Sequence, residues 1–288
     1  MGKAKIKLLS AMGIFGTIGV FVKYIPLPSA TIAFVRGILG VASLALIMLL
    51  TQRKLNMKEI KQNLSLLLLS GSAIGINWVL LFESYRHTSV ATATICYYLA
   101  PLFLLLVSPL LGERLTGKKI LCISAALIGM VFVSGVTQGP TPTLAELSGI
   151  FLSVGAAIFY ASVIFMNKKM TPIGAYEKTT VQLGASAIVV FIYLLFADSI
   201  SFPSLSGIQW VLLITVGIVH TGVAYALYFG SIKDLSAETV ALFSYLDPVI
   251  AIFLSAFLLG EPMSLSVVIG AVLILGSALY SELPTKQK

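Results

Sequence analysis

The residue with the most distinctive chemistry is Asp247, an acid near the middle of a long apolar stretch. If that stretch crosses a membrane, an ionisable group at its centre costs about 2.5–3.5 kcal/mol, so we expect the carboxylate to face an aqueous cavity or a partner. Pro248 follows and has no N–H, so it frees a carbonyl one turn back, as Pro101 does earlier in the chain. Asp247 could bind a substrate ammonium group or a proton; alternatively, it only caps a kinked helix.

Three further ionisable side chains could take part in binding. His220 lies in another apolar stretch and could carry protons as the coupling ion, since histidine titrates near neutral pH; alternatively, it only joins two helices by a hydrogen bond. Arg36 could bind a substrate carboxylate through two parallel bonds, or form a structural salt bridge. Glu83, close to Arg86, could line a cavity mouth or simply pair at the surface.

Aromatic and amide side chains add to these candidates. Tyr97 and Pro101 share a helix face, as do His220 and Tyr228, and such faces could form a wall that stacks on an amine. Packing between helices is the alternative interpretation. The candidate binding residues together are Asp247, Tyr97, Tyr98, Trp78, Asn77, His220, Tyr228, Tyr245, Arg36 and Glu83.

Nothing in the sequence indicates catalysis, a metal or a cofactor. Cys96 and Cys122 lie inside apolar runs without metal-binding spacing and are interpreted as small buried hydrophobic residues. The net charge of +8 comes from basic residues scattered along the loops rather than from a basic, aromatic stripe. We therefore expect no nucleic-acid partner.

The elements that position these residues follow from the composition. Hydrophobic residues make up 58% and charged residues only 10% of the chain, with a mean hydropathy of +1.01. Globular domains carry about 25% charged residues, so this chain must face the lipid bilayer. It is predicted to be an all-α integral membrane protein with ten transmembrane helices, each long enough to cross about 30 Å of hydrocarbon, the first only marginally. The apolar segments lie at about 8–22, 30–51, 64–84, 89–111, 119–137, 147–167, 178–197, 207–230, 237–259 and 265–281.

The loop charges predict the orientation of the spans. With ten spans and a cytoplasmic N-terminus, every lysine and arginine except Lys23, Arg86 and the intramembrane Arg36 falls on the cytoplasmic side. Such a bias follows the positive-inside rule, so we expect both termini in the cytoplasm. Whether the protein is a monomer or a homodimer stays open.

The chain repeats itself with a period of about 147 residues. Tyr98-Leu99-Ala100-Pro101 matches Tyr245-Leu246-Asp247-Pro248, and Gly112-Glu113 matches Gly260-Glu261. Since each half holds one such glutamate at a helix end, we interpret Glu113 as a structural or gating residue, and its counterpart likewise.

The repeat predicts two domains, residues 1–138 and 143–284. Each half holds five spans, an odd number, so the second half must enter the membrane from the opposite side. Inverted repeats let one half rock against the other around a midplane site, which is alternating access.

The pattern Ser-x-x-Thr…Tyr-Leu-x-Pro…Leu-Leu-Gly-Glu occurs once per half. Together with Phe34-Val-Arg36-Gly, it resembles the EamA family of the drug/metabolite transporter superfamily. The resemblance implies an inverted fold of five plus five helices, a multi-pass protein of the cell (inner) membrane, and export or exchange of small metabolites, often amino acids. Ala100 and Asp247 differ between the halves, and His220 lies outside the shared pattern, so these positions could set selectivity.

The leading hypothesis is a secondary transporter, an exporter or exchanger of small polar metabolites, with amino acids or related compounds as the first substrate class. The alternatives are a non-transporting membrane assembly subunit and an intramembrane enzyme. An enzyme would need carboxylates or histidines clustered at one interface, and the short loops contain few of them. We therefore expect no enzymatic activity.

Overall fold

The computed structural model describes residues 2–52, 55–107, 116–133, 143–196, 204–232, 234–235, 240 and 243–282. Within these residues the chain forms helices and no strand. The helices are α1 Lys3–Lys23, α2 Ser29–Leu50, α3 Met57–Gln62, α4 Leu64–His87, α5 Val90–Tyr97, α6 Ala100–Val107, α7 Gly117–Val133, α8 Leu144–Lys169, α9 Ala175–Phe196, α10 Gly207–Gly217, α11 Ala224–Ile232, α12 Leu246–Leu258 and α13 Leu265–Glu282.

The helices match the predicted spans. In the described part of the chain, six helices are long and apolar enough to cross a membrane: α1, α2, α4, α8, α9, and the continuous unit of α10 and α11. Shorter apolar helices cover Val90–Leu104, Leu246–Leu258 and Leu265–Tyr280. The six long helices, the three shorter ones and α7 together account for ten spans. The predicted all-α membrane fold is confirmed.

Polar caps fix where several helices begin. Ser89 accepts a hydrogen bond from the backbone N–H of Thr92 and so caps α5. Thr143 forms a capping box with Glu146 at the start of α8, and Ser206 forms one with Gln209 at the start of α10. Each cap satisfies backbone donors that the first helical turn leaves without partners.

Three predicted spans depart from a regular helix. The fourth breaks between α5 and α6, next to Pro101, so the face predicted to join Tyr97 and Pro101 is interrupted. The described part of the ninth continues as α12, with Pro248 in its first turn. The eighth contains one π-helical turn, Ile218–Val223, between α10 and α11. π-Turns and proline breaks often accompany functional sites.

The packing of the spans follows a twofold pattern. Spans are numbered along the chain, so that α4 is span 3, α8 is span 6, and α10 and α11 together are span 8. The contact of α4 with α8 has its counterpart in the contact of α10 and α11 with α1, which is span 1. Likewise, α4 packs on α9 as α2 packs on α10 and the π-turn, and α1 packs on α12 as α5 and α6 pack on α8. The pairs α2–α9 and α7–α13 each correspond to themselves. This exchange is expected when two similar halves are related by a pseudo-twofold axis.

Small residues permit one of the closest helix contacts. A Cβ added to Gly71 of α4 would lie 2.5 Å from the carbonyl oxygen of Gln182 in α9, and one added to Gly75 would lie 2.9 Å from that of Ser186. The Gly71–Gly75 pair therefore forms the surface on which α9 packs, as in other membrane proteins with glycine four residues apart.

Candidate functional site

The breaks of the fourth and ninth spans meet at a hydrogen bond between Tyr98 and Asp247. The Tyr98 hydroxyl lies 2.9 Å from Oδ2 of Asp247 and 3.3 Å from the carbonyl oxygen of Ser244. The Ser244 carbonyl is the one that Pro248 deprives of its helical donor, as the sequence predicted. A carboxylate and a backbone acceptor thus face the same phenol.

Other predicted aromatic residues surround this bond. The ring of Tyr245 lies 6.1 Å from that of Tyr98, and the ring of Tyr97 lies 6.2 Å away on another side. Tyr97 also stacks on Tyr160 of α8 at 5.4 Å. Four of the predicted binding residues, Tyr97, Tyr98, Tyr245 and Asp247, therefore form one polar, aromatic cluster.

Arg36 is buried, with 5% of its surface exposed, and its guanidinium lies 4.0 Å from the ring centre of Trp78. Its Nε donates to Oγ1 of Thr221 over 2.9 Å. Among the described residues no carboxylate lies within 4.0 Å of the guanidinium, so the predicted structural salt bridge is absent there. Arg36 and Asp247 do lie within electrostatic range of each other.

Thr221, the partner of Arg36, is positioned by the π-turn. The sequence did not predict this turn. The Thr221 hydroxyl donates to the carbonyl of Val216, five residues back, over 3.2 Å. Its methyl group packs on Gly40 of α2, and a Cβ added to Gly40 would lie 2.5 Å from this methyl carbon. Glycines at positions 217 and 222, at either end of the π-turn, were the signal in the sequence that α2 could approach this turn closely.

His220 joins two helices. Its Nε2 lies 2.8 Å from Oγ1 of Thr17, and its Nδ1 lies 3.3 Å from the carbonyl oxygen of Thr215. A neutral imidazole with its proton on Nδ1 satisfies both contacts when the Thr17 hydroxyl, which also lies 2.8 Å from the carbonyl oxygen of Ile14, donates to Nε2. The ring also meets Phe21 edge-on at 4.8 Å. These contacts match the interhelical alternative for this residue.

Asn77 borders the cluster around Tyr98 and Asp247, because its side chain also forms a hydrogen bond with Tyr97, whereas Tyr228 contacts other residues. Asn77 is buried and donates to the carbonyl of Ala156 over 2.6 Å, which ties α4 to α8. Tyr228 packs on Phe229 and on a small apolar cluster at the start of α1. Both residues have contacts of the kind that helix packing requires.

Glu83 lies in an exposed ion-pair cluster at the end of α4. Its carboxylate lies 3.9 Å from Nε of Arg86 and 3.3 Å from Nε2 of His87. Arg86 also donates to the carbonyl of Leu27. This geometry matches the alternative in which Glu83 pairs with neighbouring residues at the surface.

Glu261 forms a junction between three spans. One carboxylate oxygen lies 3.6 Å from Nζ of Lys23, and the other accepts from the backbone N–H of Val90 over 2.8 Å and from the Ser255 hydroxyl. Lys23 also donates to the carbonyl of Tyr85. The junction thus ties α1, α5 and α12 together, and it gives Lys23, predicted on the outer side, a specific partner. Its counterpart in the first half, Glu113, lies outside the described residues.

In the part of the chain that the structure describes, no three histidine, cysteine, aspartate or glutamate side chains lie close enough together to hold a metal ion. Both described cysteines are buried and free.

Comparisons with known proteins identify the chain's relatives. The profile of the EamA-like transporter family matches residues 3–135 and again residues 147–281. The uncharacterized transporter YxxF of Bacillus subtilis (strain 168) is 34% identical over 272 residues, which cover 94% of this chain and 86% of that protein. An uncharacterized transporter of Archaeoglobus fulgidus is 30% identical over 200 residues, 67% of each chain.

A solved crystal structure supports the fold. It aligns over 98% of this chain and 96% of its own length with a TM-score of 0.68 at 18% sequence identity. At that identity the likeness concerns the fold alone. The sequence matches go further, because the family profile covers nearly the whole length in two copies. The chain belongs to the EamA-like transporter family.

Proposed function

We propose that this protein is a secondary transporter, an exporter or exchanger, that moves small polar metabolites by alternating access. Amino acids and related compounds are the leading substrate class. The protein would act as a monomer or homodimer in the cell (inner) membrane, with both termini in the cytoplasm. The proposal rests on the family membership and on the polar residues that the two broken spans bring together.

The single observation that carries the proposal is the contact between Tyr98 and Asp247. Each residue lies at a helix break in a different half of the molecule, so a movement of one half against the other changes this contact directly. Irregular backbone inside a membrane is tolerated where it lines a cavity. Secondary transporters use such broken helices for substrate sites between their repeats.

The twofold packing supports the alternating-access part of the proposal. Residues 1–138 and 143–284 would act as two inverted repeats, each rocking against the other. If the halves exchange their packing, the same site opens to opposite sides in turn. Uphill transport would then draw on a proton or solute gradient.

A counterflow assay tests the proposal. Purified protein is reconstituted in liposomes loaded with a mixture of unlabelled amino acids, amines, sugars and organic acids. Labelled members of the mixture are then added outside one at a time. We expect saturable uptake of at least one amino acid or related compound, and its loss in Asp247→Asn. Asp234→Asn, an exposed aspartate, is the matched control and should transport normally. Absence of saturable uptake for every compound contradicts the proposal.

A further inference from the structure

Building on the proposed transport function, we infer that Arg36 binds the carboxylate of the transported solute, so that the carrier selects carboxylate-bearing solutes over simple amines. The guanidinium of Arg36 is a buried positive charge. A guanidinium stays protonated under all physiological conditions. Arg36 is 5% exposed, and no carboxylate lies within 4.0 Å of it among the described residues. An uncompensated charge in such a place is costly, so the site is incomplete without an anion.

Arg36 has hydrogen-bond donors to spare for such an anion. Of the five N–H donors, the one on Nε is taken by Thr221. Among the described residues neither terminal nitrogen has a hydrogen-bond acceptor, so both can donate to a ligand. Their four N–H groups form a planar fork that fits both oxygens of one carboxylate.

Two neighbours hold this fork in one orientation. The Thr221 hydroxyl gives its proton to the carbonyl of Val216, which leaves its lone pairs for the Nε proton. The Trp78 ring lies 4.0 Å beneath the guanidinium and restricts its tilt. Arg36 lies in span 2, Trp78 in span 3 and Thr221 in span 8, so both halves of the chain contribute. A group fixed in advance binds with a smaller entropy loss.

The negative charge of Asp247 nearby restricts the chemical class of the ligand further. Asp247 lies within electrostatic range of Arg36, yet the two form no ion pair, and the Asp247 carboxylate bonds to Tyr98 instead. A zwitterion with its carboxylate on Arg36 and its ammonium group near Asp247 would compensate both charges at once. A simple amine would leave Arg36 without an anion. An amino acid therefore suits the pair better than an amine does.

The protein contains a reporter for this site. Trp78 and Trp210 are its only tryptophans, and Trp210 is 46% exposed on α10. In a Trp210→Phe background, fluorescence reports on Trp78 alone. Each proteinogenic amino acid is titrated beside its methyl ester, which lacks the carboxylate charge. We expect saturable changes with at least one acid and binding weaker by about tenfold or more for its ester.

Substitutions then assign the effect to the guanidinium. Arg36→Lys keeps the charge but loses the fork, so we expect acid binding to weaken by about tenfold or more. Arg86→Lys, at an exposed arginine, is the matched control and should bind normally. Thr221→Val should weaken acid binding because the Nε donor loses its acceptor, whereas Thr221→Ser keeps the hydroxyl and should restore it.

The results separate this inference from the transport function. If a transported acid and its ester are carried with equal KM, or Arg36→Lys leaves the KM for the acid unchanged, the inference is overturned and transport stands. If the liposomes carry nothing, the transport proposal falls and the Trp78 titration decides alone. Saturable responses to acids but not to esters then support the carboxylate site, and absence of any response overturns it.

Discussion

Tyr98 and Asp247 form a hydrogen bond of 2.9 Å that occurs only once in a chain built from two similar halves. The counterpart of Tyr98 in the second half is Tyr245, but the counterpart of Asp247 in the first half is Ala100, which has no acceptor side chain. The repeat therefore supplies two similar breaks and one carboxylate. This asymmetry makes the proposed binding region different in the two halves.

Tyr98→Phe tests the importance of this bond. The substitution removes the hydroxyl and leaves a carboxylate without its donor, and losing a hydrogen bond to a charged group costs about 1.5–3 kcal/mol. We expect the initial transport rate in proteoliposomes to fall by about tenfold or more. Tyr193→Phe, at a tyrosine that is 53% exposed, should transport normally. Equal rates for both variants would show that the Tyr98 hydroxyl has no role in transport.

His220→Ala should lower stability rather than alter proton coupling. The imidazole contacts Thr17 and the carbonyl of Thr215, so its loss removes two hydrogen bonds, each worth about 0.5–1.5 kcal/mol, and leaves a cavity where the buried ring was. We expect a lower thermal unfolding midpoint in detergent, and a pH dependence of transport like that of the parent protein. His87→Ala, at a partly exposed histidine, should change neither. A flattened pH profile in His220→Ala would instead assign the proton to this residue.

Glu261→Gln should loosen the junction of α1, α5 and α12. Its carboxylate contacts Lys23, the backbone N–H of Val90 and Ser255, and a neutral amide cannot serve all three. Glu83→Gln is the matched control, because its exposed ion pairs are worth only about 0–1 kcal/mol. Thermal unfolding in detergent should show the larger loss for Glu261→Gln. An equal or smaller loss would mean that the junction contributes no more than a surface pair.

Gly71→Leu should separate α4 from α9. A Cβ at this position would already lie 2.5 Å from the carbonyl oxygen of Gln182, so a larger side chain must displace a helix. Overpacking of this kind costs about 1–3 kcal/mol. Gly184→Leu is the control, since a Cβ there would meet nothing within 4 Å. The unfolding midpoint should fall in the first variant only; similar midpoints would contradict the close α4–α9 contact.

The sequence predicted the fold well for physical reasons. A span must be apolar over about 20 residues, and cytoplasmic loops collect basic residues, so the number of spans is visible in composition alone. The repeat around Asp247 and Ala100 also predicted the two proline-linked breaks. Pro248 frees the carbonyl of Ser244, and in the structure this carbonyl contacts the Tyr98 hydroxyl.

The site was less predictable because it depends on contacts between distant spans. The π-turn that presents Thr221 to Arg36 changes the helical register by one residue, and hydrophobic periodicity does not report this. The partners of His220 and Asn77 are a hydroxyl and a carbonyl in other spans. Such partners cannot be identified from one sequence, since nearly every span offers them.

We propose that one site between two inverted halves opens to each side in turn. Labelling a cysteine at the break of the ninth span tests this directly. Both described cysteines, Cys96 and Cys122, are buried and can be replaced by alanine, after which Ser244→Cys gives a single thiol beside Asp247. A membrane-impermeant maleimide is applied to right-side-out and to inside-out vesicles. We expect labelling from both sides, slowed on both by a transported solute. Labelling from one side only would contradict it.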